Sequence, residues 1–193
     1  DLSVAEKVRT LRDPSFRERL LTEHRSQVAD RERDKLGGSL INKFELLFEM
    51  ADQPDYEPDL RDSIAARAER EQTTPEELAL DVMLAGDGGG MLYLPFLNYV
   101  DGSLDGCHEM LVHPHTVPGL GDGGAHVGTI CDASFPTFLL THWARDREHG
   151  RIPLEKLVKM QAYDTARFVG KNDRDSFAVG QRADLNIIDH ERL

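Results

Sequence analysis

The chain has 193 residues, of which 39% are apolar and 7% aromatic, a composition typical of a soluble globular protein with a hydrophobic core. Its formal net charge of −12 argues against nucleic acid or an anionic membrane as a partner, because both bind clustered lysines and arginines. No apolar run approaches the roughly 18 residues of a membrane span, and the first residues do not resemble a signal peptide. The sequence therefore predicts a cytoplasmic protein, in which Cys107 and Cys131 have no metal-ligand spacing and are not expected to form a disulfide.

The first 50 residues predict two short helices and one ambiguous element. Residues 2–33 have helical apolar spacing that is interrupted near Asp13 and Pro14, where Asp13 suits an N-cap and Pro14 a first helical position. The apolar cluster at residues 44–50 fits either a short strand or a buried turn, because periodicity does not separate the two in so short a run.

Two further helices are expected between residues 60 and 86. The first covers residues 60–71, and its Arg- and Glu-rich composition indicates a solvated face without a functional role. The second begins with the capping-box pair Thr74 and Glu77, has Pro75 in its first turn and stops at Gly86.

A glycine-rich connection leads into the middle of the chain. Gly88–Gly90 lacks the Lys and Ser or Thr of a phosphate-binding loop, so it is not interpreted as a nucleotide site. Residues 91–96 predict a strand near a sheet edge because of Pro95. Asn98 and Tyr99 follow; they fit a turn, with a substrate-facing role as the alternative.

The second half of the chain predicts alternating extended and helical elements. Two short extended segments are expected over residues 109–112 and 117–120. Helices follow from Ser134 through Trp143 and from Pro153 to Met160, and the latter either continues over residues 162–169 or is separate from them. The tail changes to period two on both sides of Gly180, which indicates a β-hairpin or paired strands.

One carboxylate stands out because it lies among glycines directly after an apolar run. Asp122 has glycines at positions 119, 121, 123 and 124, and glycine lets other groups approach a backbone closely. Two interpretations compete from the residues alone: a catalytic acid presented at a strand end, or an Asx-turn residue in a glycine-rich loop.

The histidines give weaker signals. His126 follows Asp122 by four positions and is a candidate to line a substrate pocket or contact the carboxylate. His113 and His115 suit a surface loop better than a metal site, because two histidines alone make a poor site. His142 lies beside Trp143 in an apolar helix, which favours a core position.

The second half of the chain resembles the C-terminal part of the amidohydrolase superfamily, in particular the D-aminoacylase (N-acyl-D-amino-acid deacylase) branch. The resemblance is carried by the string Gly121–His126, by the helical region Leu154–Gly170, and by Gly180–Asp189. It covers residues 105–193 well and residues 1–104 only loosely.

The resemblance implies an α/β fold, namely a C-terminal fragment of a (β/α)8 TIM barrel that is mostly helical in this piece. Residues 1–175 would belong to the barrel, with a helical insertion at about 40–100, and residues 176–193 would begin a small β-rich domain. Active-site groups of such barrels lie at the carboxyl ends of the strands. Asp122 would then follow the eighth strand.

The resemblance also implies the chemistry of Asp122. In a zinc-dependent amidohydrolase of this kind, the aspartate takes a proton from metal-bound water and passes it to the leaving amine. Asp122 is also a candidate metal ligand, and His126 a candidate substrate-binding residue. The substrate would be an N-acyl-D-amino acid, and a cyclic amidase is the alternative branch.

This sequence departs from the family pattern in its metal ligands. The His-x-His of the first strand and the other ligands of the family have no counterpart here, because His113-Pro114-His115 comes too late in the barrel order. We therefore expect a piece of a longer polypeptide that is inactive and binds no Zn²⁺ by itself. The alternative to an enzyme is a folded, non-catalytic piece that associates with itself or with the missing N-terminal part.

Overall fold

The computed structural model describes residues 2–31, 43–95, 98–99, 101–119, 132–174 and 176–193. The chain forms two compact units, residues 1–104 and residues 105–193. Helix predominates in the described residues, as predicted for this piece. Among the helices of these ranges, none combines the length and the apolar character that a bilayer crossing requires.

The chain opens with two helices separated by one residue, α1 (Val4–Arg12) and α2 (Pro14–Arg31). Asp13 lies between them and caps α2, because its Oδ1 accepts a hydrogen bond of 2.9 Å from the backbone N–H of Phe16. The predicted break at Asp13 and Pro14 is confirmed. A side-chain cap satisfies a backbone donor that the helix itself leaves without a partner.

A two-stranded ribbon resolves the ambiguity at residues 44–50. A 3-10 turn at Phe44–Leu46 leads into β1 (Phe48–Met50), which pairs antiparallel with β2 (Met91–Tyr93). Phe48 lies opposite Tyr93 in this register. The strand interpretation of the first segment is confirmed for Phe48–Met50, and the strand predicted at residues 91–96 is confirmed for Met91–Tyr93, while Phe96 lies outside the described residues.

Two capped helices lie between these strands. A 3-10 turn at Leu60–Asp62 precedes α3 (Ile64–Glu71), whose N-cap Ser63 accepts from the backbone of Ala66. Next comes α4 (Pro75–Met83), in which Thr74 and Glu77 form the predicted capping box.

Helix α4 is the centre of the first unit, because opposite sides of it pack into two hydrophobic cores. One core joins its residues Leu78, Ala79 and Val82 to Ile64 and Ala68 of α3. The other joins Leu80 of α4 and the neighbouring Leu84 to Val8 of α1 and Leu21 of α2. Two arginines tie α4 and the residues directly after it to the first helices: Arg17 pairs with Asp81 of α4, and Arg12 donates to the carbonyl oxygens of Leu84 and Gly86.

The second unit begins with a helix where an extended segment was expected. Residues 105–112 form α5 (Asp105–Val112), so the predicted extended element at residues 109–112 is wrong. Met110, Leu111 and Val112 are consecutive apolar residues, and such a short run does not distinguish the last turn of a helix from a strand. Residues 113–119 contain no strand either.

Two long helical stretches complete the second unit. The first runs from α6 (Phe135–Phe138) into a π-helical stretch, Leu139–Asp146. The second comprises α7 (Leu154–Lys159), a π-helical stretch at Met160–Asp164 and α8 (Thr165–Phe168), so the preceding helix continues through residue 168 and Val169 ends it. Their core contains the buried side chains of Leu139, Trp143, Ile152, Leu157 and Met160.

The tail differs from its predicted hairpin. Gly180 forms a turn with φ +88°, but no strand pairing occurs within residues 176–193. Alternating apolar residues favour a strand only when a neighbouring strand supplies hydrogen bonds, and none of the described residues supplies them here. In the described part of the chain the strands are β1 and β2, which are antiparallel, and no closed barrel is formed.

Candidate functional site

Asp122 and His126, the two residues predicted for the site, lie outside the described residues. The structure describes the chain up to Gly119 and again from Asp132. The described residues nearest to Asp122 and His126 in the chain are therefore those up to Gly119 and those from Asp132. No parallel strand leads into the predicted site over residues 113–119, where the resemblance implied the end of a barrel strand.

Residues before and after the string Gly121–His126, here called the motif, contact the same helical stretch, Met160–Phe168. Gln161 Nε2 donates a hydrogen bond of 3.2 Å to the carbonyl oxygen of Pro136, on the C-terminal side of the motif. On the N-terminal side, the hydroxyl of Thr165 lies 3.5 Å from the carbonyl oxygen of Pro118 and donates more closely to Met160, at 2.7 Å. Because Gln161 and Thr165 are four positions apart, they share one face of this helical stretch, and that face contacts both Pro136 and Pro118.

An aromatic cluster follows the motif on the C-terminal side. The ring of His142 stacks on Phe138, with centroids 5.0 Å apart and planes inclined by 7°, and meets Trp143 edge-on at 5.3 Å. Both His142 and Trp143 are buried. His142 thus lies in the core, as the sequence favoured.

The cluster continues to a buried arginine that sequence reasoning missed. Arg147 places its guanidinium 4.8 Å from the centre of the Trp143 ring and donates to Asp105 Oδ1 at 2.5 Å. Its side chain is 1% exposed, whereas that of Asp105 is 63% exposed. Arg147 comes directly after the π-helical stretch and four positions after Trp143, and this spacing was an available signal for the contact.

Gly150 makes room for that guanidinium. Its φ is +61°, a left-handed backbone that side chains disfavour, and a Cβ there would lie 2.6 Å from Arg147 Nη1. The backbone conformation therefore favours glycine, and any larger residue would have to displace the Arg147 guanidinium.

The histidine pair after α5 does not form a metal centre with other described residues. The rings of His113 and His115 lie edge-on at 5.3 Å, and His113 Nδ1 accepts a hydrogen bond of 3.2 Å from the backbone N–H of His115. Both residues are exposed. Across the described ranges, no group of three or more His, Cys, Asp or Glu side chains is arranged to hold a metal ion.

An ion pair on the π-helical stretch holds the C-terminus of the chain. Arg145 bonds to Asp146 at 2.6 Å, and this hydrogen bond lowers the pKa of the Asp146 carboxyl below its usual value. Arg145 also donates to the carbonyl oxygens of His190 and Leu193. The His190 ring adds a contact of 2.8 Å from Nε2 to the carbonyl oxygen of Leu140.

Of the two residues that follow β2, Asn98 is exposed and Tyr99 belongs to the core of the first unit. The Tyr99 hydroxyl donates to the carbonyl oxygen of Pro58 at 2.7 Å, and its ring meets Phe48 edge-on. Burial raises the pKa of Tyr99 to about 12. This packing corrects the alternative of a substrate-facing Tyr99, because the side chain is 1% exposed.

Comparison with known proteins shows which family this chain belongs to. A family model described as the amidohydrolase family matches residues 97–193, half of the chain, and the match includes the Asp122 motif and the tail. No curated protein and no solved structure gave a match. The family is one of hydrolases, commonly metal-dependent, with a TIM-barrel fold. On the extent of this match, the chain belongs to the amidohydrolase family.

Proposed function

We propose that this chain is part of a hydrolase that cleaves the amide bond of an N-acyl-D-amino acid. The observation that carries the proposal is the family match over residues 97–193, which includes Gly121–His126, together with the resemblance of that string to the D-aminoacylase branch. Pro118 and Pro136, which lie before and after this string in the chain, contact Thr165 and Gln161 of one helical stretch.

In this proposal Asp122 is the general base and then the general acid. Its carboxylate accepts a proton from the water that attacks the amide carbonyl, and it returns that proton to the amine nitrogen as the carbon–nitrogen bond breaks. One carboxylate therefore serves both halves of the reaction, and it leaves the cycle in its original ionised state. His126, four positions later, is proposed to contact the substrate.

Zinc belongs to the proposal only for the intact enzyme. Bound Zn²⁺ would polarise the amide carbonyl. The described residues do not fit such a centre, because they contain no suitable group of three ligands. We infer that the 193-residue chain by itself neither holds Zn²⁺ nor hydrolyses the substrate, and that ligands come from elsewhere in the intact enzyme.

The test uses the intact enzyme, the longest polypeptide that the gene encodes, with Asp122→Asn. The amide side chain no longer accepts the proton, so kcat should fall by about 10²–10⁴-fold while zinc content and KM stay near their original values. Asp87→Asn is the matched control, because Asp87 is an exposed aspartate of the first unit. Near-normal kcat for Asp122→Asn, with zinc still bound, would refute the assignment.

The substrate class is tested separately, with a panel of N-acyl-D-amino acids, their L-enantiomers and cyclic amides. We expect the highest kcat/KM on the D-enantiomers. Preference for the cyclic amides would move the enzyme to the alternative branch and leave the role of Asp122 standing.

A second candidate function, a folded piece without its own chemistry that associates with itself, is favoured by the tail. Phe177, Val179 and Ile187 are almost fully exposed, and such apolar surface is typical of an interaction site. Tight zinc binding and amide hydrolysis by the 193-residue chain alone would exclude it.

A further inference from the structure

The first π-helical stretch of the second unit, Leu139–Asp146, is eight residues long. Its hydrogen bonds span five positions instead of the four of an α-helix, as in the bond of 2.9 Å from the Arg147 N–H to the carbonyl oxygen of His142. Helices of this kind are rare and most of them are a single turn, which indicates that the wider turn is less stable than an α-helix. A stretch of this length therefore needs a specific stabilising contact.

The side-chain pattern of this stretch is that of an α-helix. Leu139, His142 and Trp143 are buried and occupy positions i, i+3 and i+4, the spacing of one α-helical face. The stretch also contains no proline or glycine that would interrupt an α-helix. Since neither burial nor local sequence accounts for the wider turn, contacts from outside the stretch must stabilise it.

One residue of the tail, His190, makes two contacts with this stretch. Its ring Nε2 lies 2.8 Å from the carbonyl oxygen of Leu140. A carbonyl oxygen only accepts hydrogen bonds, so the His190 ring carries a proton on Nε2 and donates it. In the other direction, Arg145 Nη1 donates to the carbonyl oxygen of His190 at 2.6 Å. His190 is thus bonded to the stretch at two points, Leu140 and Arg145.

The spacing of these two points fits the π-helical form. Leu140 and Arg145 are five positions apart, which is the hydrogen-bond spacing of a π-helix, so Arg145 follows Leu140 by about one turn on the same side of the axis. In an α-helix each residue advances by about 100°, and residues five positions apart are separated by about 140° around the axis. A single residue therefore bridges Leu140 and Arg145 more readily in the π-helical form than in the α-helical one.

We propose that His190 holds the stretch Leu139–Asp146 in its π-helical form, and that the stretch rewinds into an α-helix when His190 is released. Rewinding turns the later residues about the axis, so the Trp143 ring and the Arg147 guanidinium change their positions in the core. The attachment of His190 and the packing of this core then form one coupled element with two states. This proposal is independent of the proposed hydrolase activity.

NMR of the isotopically labelled 193-residue chain tests the proposal, because couplings across hydrogen bonds identify the carbonyl group that each amide contacts. In the wild type, the amide of Arg147 should pair with His142, five positions earlier. His190→Phe keeps an aromatic ring but has no donor, so the amides of the stretch should pair over four positions, and Arg147 with Trp143. His190→Gln restores an N–H donor and should restore the wild-type pairs. His115→Phe is the matched control, at an exposed histidine of the same unit, and should leave the pairs unchanged.

Two further measurements keep the test decisive if His190→Phe does not fold. Arg145→Met removes the donor to the His190 carbonyl oxygen but keeps an apolar stem, and it should likewise shift the stretch toward pairs over four positions. The wild type needs no substitution to show a coupling between His190 Nε2 and the carbonyl carbon of Leu140. Absence of that coupling, pairs over five positions retained in both His190→Phe and Arg145→Met, or an equal loss of those pairs in His190→Gln and His190→Phe would each overturn the proposal.

Discussion

The guanidinium of Arg147 lies 4.8 Å from the centre of the Trp143 ring, and both side chains are almost fully buried. This contact links the π-helical stretch Leu139–Asp146 to Asp105 at the start of α5, through a hydrogen bond between residues 42 positions apart. A charge removed from water needs such compensation, which here is an aromatic face on one side and a carboxylate on the other.

Replacing Arg147 by alanine should destabilise the second unit by about 3 kcal/mol, because the substitution removes the contact with Trp143 and leaves a cavity beside the ring. Denaturant unfolding followed by tryptophan fluorescence measures the change, as Trp143 is the single tryptophan. Arg192→Ala, at an arginine whose side chain is 85% exposed, is the control and should stay within about 0.5 kcal/mol of wild type. Equal stability of the two variants would contradict the role given to Arg147.

Two glycines with left-handed backbones allow the cost of a steric clash to be distinguished from the cost of backbone strain when each is replaced by alanine. Gly150 has φ +61° and Gly170 has φ +80°, but only at Gly150 would a Cβ meet another group, Arg147 Nη1 at 2.6 Å. Gly170→Ala should therefore cost about 1 kcal/mol from backbone strain, and Gly150→Ala about 2–3 kcal/mol. Thermal or denaturant unfolding measures the two losses of stability. A loss for Gly150→Ala no larger than that for Gly170→Ala would show that the Arg147 side chain moves aside without cost.

The capping box of α4 predicts a pH dependence. Hydrogen bonds from the Thr74 hydroxyl and then from the Thr74 backbone lower the pKa of Glu77 below its ordinary value of 4.5. A lowered pKa in the folded state means that ionised Glu77 stabilises the fold above about pH 4.5 and that this stability is lost as pH falls through the folded-state pKa.

The difference in unfolding free energy between wild type and Glu77→Gln should accordingly be largest near neutral pH and shrink on acidification. Denaturant titrations at a series of pH values measure it. Glu76→Gln supplies the control, since Glu76 is in the same helical turn but makes no bond to Thr74. A difference that grows on acidification would have the wrong sign for the capping interaction.

The core of the second unit offers a neighbouring pair for comparison. Leu157 is completely buried and Val158 is 46% exposed on the same helix, α7. Leu157→Ala should cost about 3 kcal/mol, as expected for an internal cavity, whereas Val158→Ala should change stability by no more than about 0.5 kcal/mol. Similar losses for the two would mean that α7 packs through a different face.

Features set by neighbouring residues were predictable from the sequence. Asp13 and the pair Thr74 and Glu77 marked helix starts because a cap needs only residues within one turn of each other. Long-range contacts were not predictable in this way: nothing local relates Arg147 to Asp105. The prediction of a hairpin in the tail was wrong for a related reason: a period-two pattern predicts a strand only if some other segment provides its hydrogen bonds.

In the candidate site too, local features were predictable from the sequence and long-range contacts were not. Asp122 was singled out by its glycine neighbours and by a family resemblance, and the family match now covers it. The contacts of Pro136 with Gln161 and of Pro118 with Thr165 were not foreseen, because a side-chain bond to a distant backbone group has no sequence signature. The role of Asp122 itself stays a prediction for the experiment above.

Helix α4 has a consequence for how residues 1–104 come apart. Its two sides belong to separate cores, so unfolding of α4 would expose the buried residues of both cores to solvent. The amide protons of α3 and of α1 should therefore exchange with solvent at a common rate, limited by global unfolding. A substitution such as Leu80→Ala, made on one side, should speed exchange equally on the other. The unit would then behave as one cooperative block in spite of its divided interior.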